Sequence, residues 1–130
     1  DLFNFVAEVD GQIAGSIFLS RMVYGNENTV FILAPVAVRS EYQGKGLGQG
    51  LIKHGLRELK NRGVNFVLTY GDPNFYEKVG FHAISSEVVR PPFELSQPEG
   101  WLGHSLCDRP IESLLGESSC VNALNNPVYW

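Results

Sequence analysis

The residues best placed to do chemistry lie in AVRSEYQGKGLGQGLIKHGL, positions 37–56. Gly44, Gly46, Gly48 and Gly50 fall within seven residues there, just ahead of an amphipathic run. Glycine inside a helix costs roughly 1 kcal/mol relative to alanine. Four of them at a helix start imply a gain other than helix stability, and close approach of the backbone to a ligand supplies one. A strand, a glycine-rich turn and a helix N-terminus together make an anion site. Free N–H groups point outward and the helix dipole adds partial positive charge. The loop is therefore suited to cradling phosphates. No Gly-x-x-x-x-Gly-Lys-Ser/Thr string is present, which excludes a P-loop. The dinucleotide fingerprint is excluded as well, because the glycines have the wrong spacing and no acidic residue closes the next strand at 64–69. What the string does contain is Gln43-x-x-Gly46-x-Gly48.

Other reactive side chains carry less. His54, His82 and His104 lack the i, i+4 spacing of a metal site, and each is by default structural. Cys107 and Cys120 are too few for a disulfide scaffold and lack paired zinc spacing, so both read as small hydrophobes. Trp101 and Trp130 read as packing residues, and Glu41 as support for the loop or a solvent-facing charge. With 130 residues, 44% hydrophobic and 18% charged, the chain is one ordinary globular domain. Its net charge of −4 argues against a nucleic-acid partner. No apolar run approaches a membrane span, and no signal peptide is visible, which suggests a soluble, cytoplasmic protein of bacterial type. The chain opens at Asp1 and enters a strand pattern at once. That start suggests a fragment, a processed chain or a protein without a customary N-terminal piece.

The elements that must position the loop follow from pattern. Residues 2–24 alternate like a hairpin around Asp10-Gly11, a strong two-residue turn signal. Residues 25–28 form a second turn. Residues 29–38, TVFILAPVAV, read as a strand buried on both faces, with a bulge or splaying at Pro35. Leu51, Ile52, Leu56 and Leu59 recur at helical spacing in 49–63, with Gly63 at the C-cap. Residues 64–70 are another buried strand. Asp72, Pro73 and Gly80 then cap, start and end a helix of about two turns. Strands are expected over 82–89 and 101–106, a helical piece over 111–115, and a last strand over 119–124. The fold class is α/β, a mixed sheet flanked by helices.

Gln43-x-x-Gly46-x-Gly48 after a buried strand, with FYEKVGF (75–81) downstream, resembles the acetyl-CoA signature of the GCN5-related N-acetyltransferases, the GNAT superfamily. GDPNFYEKVGF followed by RPPFEL is most similar to its small YhbS-type bacterial members. The resemblance covers residues 5–106. It implies a GNAT acyl-CoA fold over 1–130, with acetyl-CoA as co-substrate, no metal, and direct acetyl transfer to an amine in a ternary complex. Gly44, Lys45, Gly46, Leu47, Gly48 and Gln49 would hold the pyrophosphate through their N–H groups, beside Gln43 and Asn74. Val36, Ala37 and Val38 would pair with the pantetheine arm. The Val36 N–H would stabilise the oxyanion, and Tyr76 would protonate the departing thiolate. Two plainer readings stay open: Tyr76 as a core aromatic, and Lys45 as a solvated charge. The family's usual first strand and two helices are not visible ahead of the hairpin. Its central-strand glutamate is also missing, which leaves Glu8, Glu87, His82 or water as the base. The acidic balance suits a cationic acceptor such as a polyamine, an aminoglycoside or a lysine-bearing protein. A tail at 118–130 offers pairing across a homodimer. The alternatives are a non-catalytic acyl-CoA-binding module and a purely structural interaction protein.

Overall fold

Asp10 and Gly11 both take positive φ, 51° and 78°, the geometry that matches a tight turn to strand twist. They join β1 (Leu2–Val9) to β2 (Gln12–Tyr24). In the computed structural model, which describes residues 2–24 and 28–111 and the backbone of 118–119, β3 (Val30–Val38) follows. Then come α1 (Leu47–Asn61), β4 (Phe66–Tyr70), α2 (Pro73–Tyr76), β5 (His82–Ala83), β6 (Trp101–Ser105) and β7 (Ser118–Ser119). The sheet order is β1-β2-β3-β4-β6-β5, with β7 on the end of β2. Among the described residues, the β3–β4 pair is parallel and the other pairings are antiparallel. The expected mixed sheet is what forms.

One face of the sheet packs on α1. Leu51, Ile52, Leu56 and Leu59 meet Ile17, Leu19, Leu33 and Val67 there, with Phe81 and Leu102 beside them. Each such side chain contributes about 1.5–3 kcal/mol when fully buried. Four of them outweigh the roughly 1 kcal/mol cost of each glycine inside α1. Tertiary packing thus holds a helix that propensity alone disfavours. Lys53, Arg57 and Lys60 lie exposed on its other side, as the periodicity requires.

The opposite face buries Met22, Ile32, Phe66, Leu68 and Trp101, covered by Val89 and Leu95 rather than by a helix. Trp101 is fully buried and donates its indole N–H to the Val89 carbonyl at 2.8 Å, a packing residue as expected. The strand expected over 82–89 stops at Ala83. Ser85 ends it: its hydroxyl accepts the Glu87 N–H, and its carbonyl accepts those of Val88 and Val89. This local turn competes with a ladder. The strand expected from Val64 begins at Phe66, because the Val64 N–H is used to close α1 on the Leu59 carbonyl. α1 itself starts at Leu47, two residues before its expected start. The turn at 25–27, the helical piece beyond Ile111, and Cys120, Trp130 and the rest of the tail strand lie outside the described residues.

His104 on β6 stands edge-on to Phe81 at 5.5 Å, with Nδ1 on the Ser105 carbonyl at 3.0 Å. Burial, seconded by the positive charges of His82 and Lys60, lowers its pKa, against the Ser105 carbonyl. The folded state therefore holds this ring neutral while the unfolded chain protonates it near pH 6.5. The stability it lends is present above that value and lost as pH falls through the depressed folded pKa. Denaturant midpoints taken at about pH 7.5 and about pH 5.5 are expected to differ less in His104→Gln than in wild type.

Candidate functional site

The glycine turn is built by backbone conformation. Gly44 and Gly46 sit at φ 77° and 80°, where an L side chain costs about 1–2 kcal/mol. Gly46 is the residue before α1, and the first intrahelical bond runs from the Gly50 N–H to the Gly46 carbonyl at 3.0 Å. The N–H groups of Leu47, Gly48 and Gln49 precede that bond and have no acceptor within the helix. No acidic residue occupies the first turn. The Gln43 side chain donates from Nε2 to the Val38 carbonyl at 3.0 Å, tying the turn to the end of β3. An exposed ion pair, Arg39–Glu41 at 2.9 Å, flanks it and adds little stability.

Beside the turn the sheet is split. β3 and β4 pair from Val30↔Phe66 to Leu33↔Thr69 and no further. On the β2 side, Ala34 and Pro35 together oppose Phe18, the one-residue bulge expected at the proline. The expectation of burial on both faces holds for Val30 to Leu33; beyond them β3 alternates between exposed and half-buried. Arg39 donates to the Ala14 carbonyl at 2.8 Å, which fixes the alternation: Ala37 faces β2, while Val36 and Val38 turn their N–H and C=O groups away from it. The Gln43 bond to the Val38 carbonyl agrees with that direction. The Val36 N–H therefore points into the gap left by β4.

The gap continues into a cleft of about 460 Å³ along the glycine turn. Val36 and Val38 line it with Gln43, Gly44, Gly46, Leu47, Gly48 and Gln49, so the structure brings most of the expected residues together. Ala37 is absent from the lining because strand side chains alternate. Lys45 lies across the turn, on a second groove with Gly50 and His54. Asn74 is exposed, and its backbone N–H caps α2 on Asp72 at 3.0 Å. Three lining residues were missed from sequence: Tyr42, Phe75 and Lys78. The i, i+3 spacing of Phe75 and Lys78 was the available signal, since it places both on one side of a short helix. Among the described residues, Lys78 is the one charged side chain in the lining. Glu8, Glu87 and His82 are exposed and none of them lines the cleft.

Tyr76 sits behind Phe75. Its ring stands edge-on to Phe75 at 5.0 Å and to Phe81 at 5.8 Å. A Cβ on Gly71 would lie 2.7 Å from its Cε2, so glycine there is what admits the ring. Burial raises the phenol pKa, and an interaction with the Thr69 side chain works against that rise. The phenol therefore stays protonated through neutral pH. Both readings of Tyr76 keep a footing here: its ring packs against the core, and its phenol holds the proton that a general acid needs.

A split parallel pair beside a glycine turn at a helix N-terminus, in this strand order, defines a GNAT-type α/β fold. A sequence profile described as the acetyltransferase (GNAT) domain matches residues 2–83. The uncharacterized N-acetyltransferase YjhQ of Escherichia coli K12 is 30% identical over 125 residues, which cover 92% of this chain and 68% of that protein. The chain belongs to the GNAT acetyltransferase family. Among solved structures, the E. coli GNAT family N-acetyltransferase YhbS in complex with CoA superimposes with a TM-score of 0.83 at 28% identity. That match covers 93% of this chain and 68% of the other. A Brucella melitensis GNAT family acetyltransferase in complex with acetyl-CoA gives 0.70 at 29% identity, covering 92% of this chain and 66% of its own. The chain thus spans about two thirds of the length of these relatives. No helix among the described residues is long and apolar enough to cross a membrane, and these residues hold no metal-ligating cluster.

Proposed function

We propose that the chain transfers an acetyl group from acetyl-CoA to an amine by direct attack in a ternary complex. The observation that carries this reading is the parting of β3 and β4 beyond Leu33 and Thr69, which turns the Val36 N–H into a cleft floored by the glycine turn. Amides of the turn and of the first helical residues, Gly44 to Gln49, hold the pyrophosphate, and Lys78 adds a cation at the rim. The pantetheine arm lies along Val36–Val38 as an added strand, bonding the groups those residues turn away from β2. The Val36 N–H polarises the thioester carbonyl and strengthens its bond as the oxygen gains charge. Tyr76 protonates the sulfur as it leaves. CoA and acetyl-CoA in the solved relatives support the same ligand class here. The net charge of −4 favours a cationic amine as acceptor.

The test is thiol release from acetyl-CoA against a panel holding a polyamine, an aminoglycoside and a lysine peptide, with the product weighed by mass spectrometry. An acetylated amine formed in step with the thiol is the expected result. Binding without release from any amine would make the chain a CoA-binding module instead.

A further inference from the structure

Along α1, Lys53, Arg57 and Lys60 follow at i, i+4 and i+7, which sets all three on one side of the helix over about 10 Å. They line a groove of about 280 Å³ with His104 of β6 and the buried side chains of Leu56 and Val79. Like charges at these spacings destabilise a helix. The chain holds 14 aspartates and glutamates against 10 lysines and arginines, yet no carboxylate of the described residues lines this groove. Other cations of the molecule are engaged: Arg39 with Glu41, Arg62 over the ring of Phe3, and Arg109 over that of Phe66. Among the described residues, Lys53, Arg57 and Lys60 have no such partner. The helix dipole favours Lys60, which stands in the last turn, but it does not account for Lys53 or Arg57. Across the groove, the charges of Lys60 and His82 oppose protonation of His104. Positive charge thus gathers here with nothing among the described residues to neutralise it.

We propose that this groove binds a small organic polyanion, with phosphate or carboxylate groups along Lys53, Arg57 and Lys60 and an apolar part against Leu56 and Val79. Arg57 stands at the centre of the row, and its planar fork grips either oxyanion through two parallel bonds. A concave site of this size lies near the lower end of the small-molecule range. Nucleic acid is disfavoured by the net charge of −4. The groove shares no lining residue with the cleft along the glycine turn. Lys53 does stand one helical turn beyond Gln49 of that cleft, so the nucleotide of CoA is the competing occupant.

The test is calorimetric titration of inorganic tripolyphosphate, and separately of citrate, into the whole chain, alone and with CoA at saturation. The expected result is a site that persists under CoA. Arg57→Gln should weaken it about tenfold, and Arg90→Gln, which removes the same charge elsewhere, should leave it unchanged. The tighter probe tells a phosphate ligand from a carboxylate one. In an NMR titration the His104 ring, identified through His104→Gln, should ionise at higher pH once the probe is bound, because the anion offsets Lys60 and His82. Arg57→Gln also removes like-charge repulsion, so without a probe it should melt no lower than wild type. Equal weakening by Arg57→Gln and Arg90→Gln would reduce the binding to net charge and overturn the proposal. Loss of the site under CoA would overturn it too. A weaker CoA in Arg57→Gln would then give the groove to the nucleotide, and an unchanged one would place the probe on the glycine turn. Failure of both probes to bind, with the His104 ionisation unmoved, would leave the three cations a solvated face. If CoA itself does not bind, the titration without it still decides this proposal, while the acetyl-transfer reading falls.

Discussion

Tyr76→Phe is expected to lower kcat at least about a hundredfold, the smaller end of what a positioned general acid contributes. KM for acetyl-CoA should hardly change, because the proposed donation to sulfur is made only as the C–S bond breaks. That combination marks an interaction made only in the transition state. Phenylalanine keeps the ring between Phe75 and Phe81 and over Gly71, so the sheet and α2 should stand. The stability cost should stay near the ~1 kcal/mol of one lost hydrogen-bonding group. The pH profile gives a second check. Burial raises the Tyr76 pKa, so the proton needed for donation is present across neutral and mildly alkaline pH. The alkaline loss of kcat should therefore fall above about 10, the ordinary tyrosine value. Steady-state kinetics of both proteins across pH, with their thermal midpoints, would show whether rate falls without stability.

Gln49→Glu should separate binding from folding by moving them in opposite directions. Gln49 stands third in α1, lines the cleft, and sits in a first turn that carries no acidic residue. A carboxylate there favours the helix dipole and should stabilise the fold by about 0.3–1 kcal/mol. In the proposed complex the same charge would face the pyrophosphate. Two like charges about 8 Å apart at an effective dielectric near 20 repel by roughly 2 kcal/mol, or about thirtyfold in Kd. The variant should melt slightly higher and bind acetyl-CoA much more weakly, the loss shrinking as salt screens it. A glycine turn with only a structural task would show the gain in stability and no loss of affinity.

Much of this was legible in the chain because local chemistry dictated it. Asp10-Gly11 set the hairpin, Pro35 set the bulge that splits the sheet, and Asp72, Pro73 and Gly80 bounded the helix that carries Tyr76. The glycines of the turn were legible too, and Gly44 and Gly46 take the positive φ that favours glycine. What stayed hidden depends on contacts distant in sequence. Whether Lys45 faced the cleft or the groove beside His54 was decided by how the turn rests on β1 and β3. The use of Gln43 as a brace on Val38 needed the end of β3 to be in place. The cover of the second face was not legible, because Val89 and Leu95 supply its apolar surface without regular structure. Ser85 broke an apolar stretch that would otherwise continue as a strand. Tyr42, Phe75 and Lys78 reach the cleft from stretches more than 30 residues apart, and no single window of sequence holds them together.

Everything proposed for the site depends on acetyl-CoA occupying the cleft between the split strands and the glycine turn. Calorimetric titration of acetyl-CoA into wild type and Gln49→Glu in parallel tests that most directly. The expected result is one site per chain with a dissociation constant of about micromolar order, weakened about thirtyfold by the added carboxylate. Absence of binding in wild type, or equal affinity in both proteins, would contradict the assignment of the turn to the pyrophosphate.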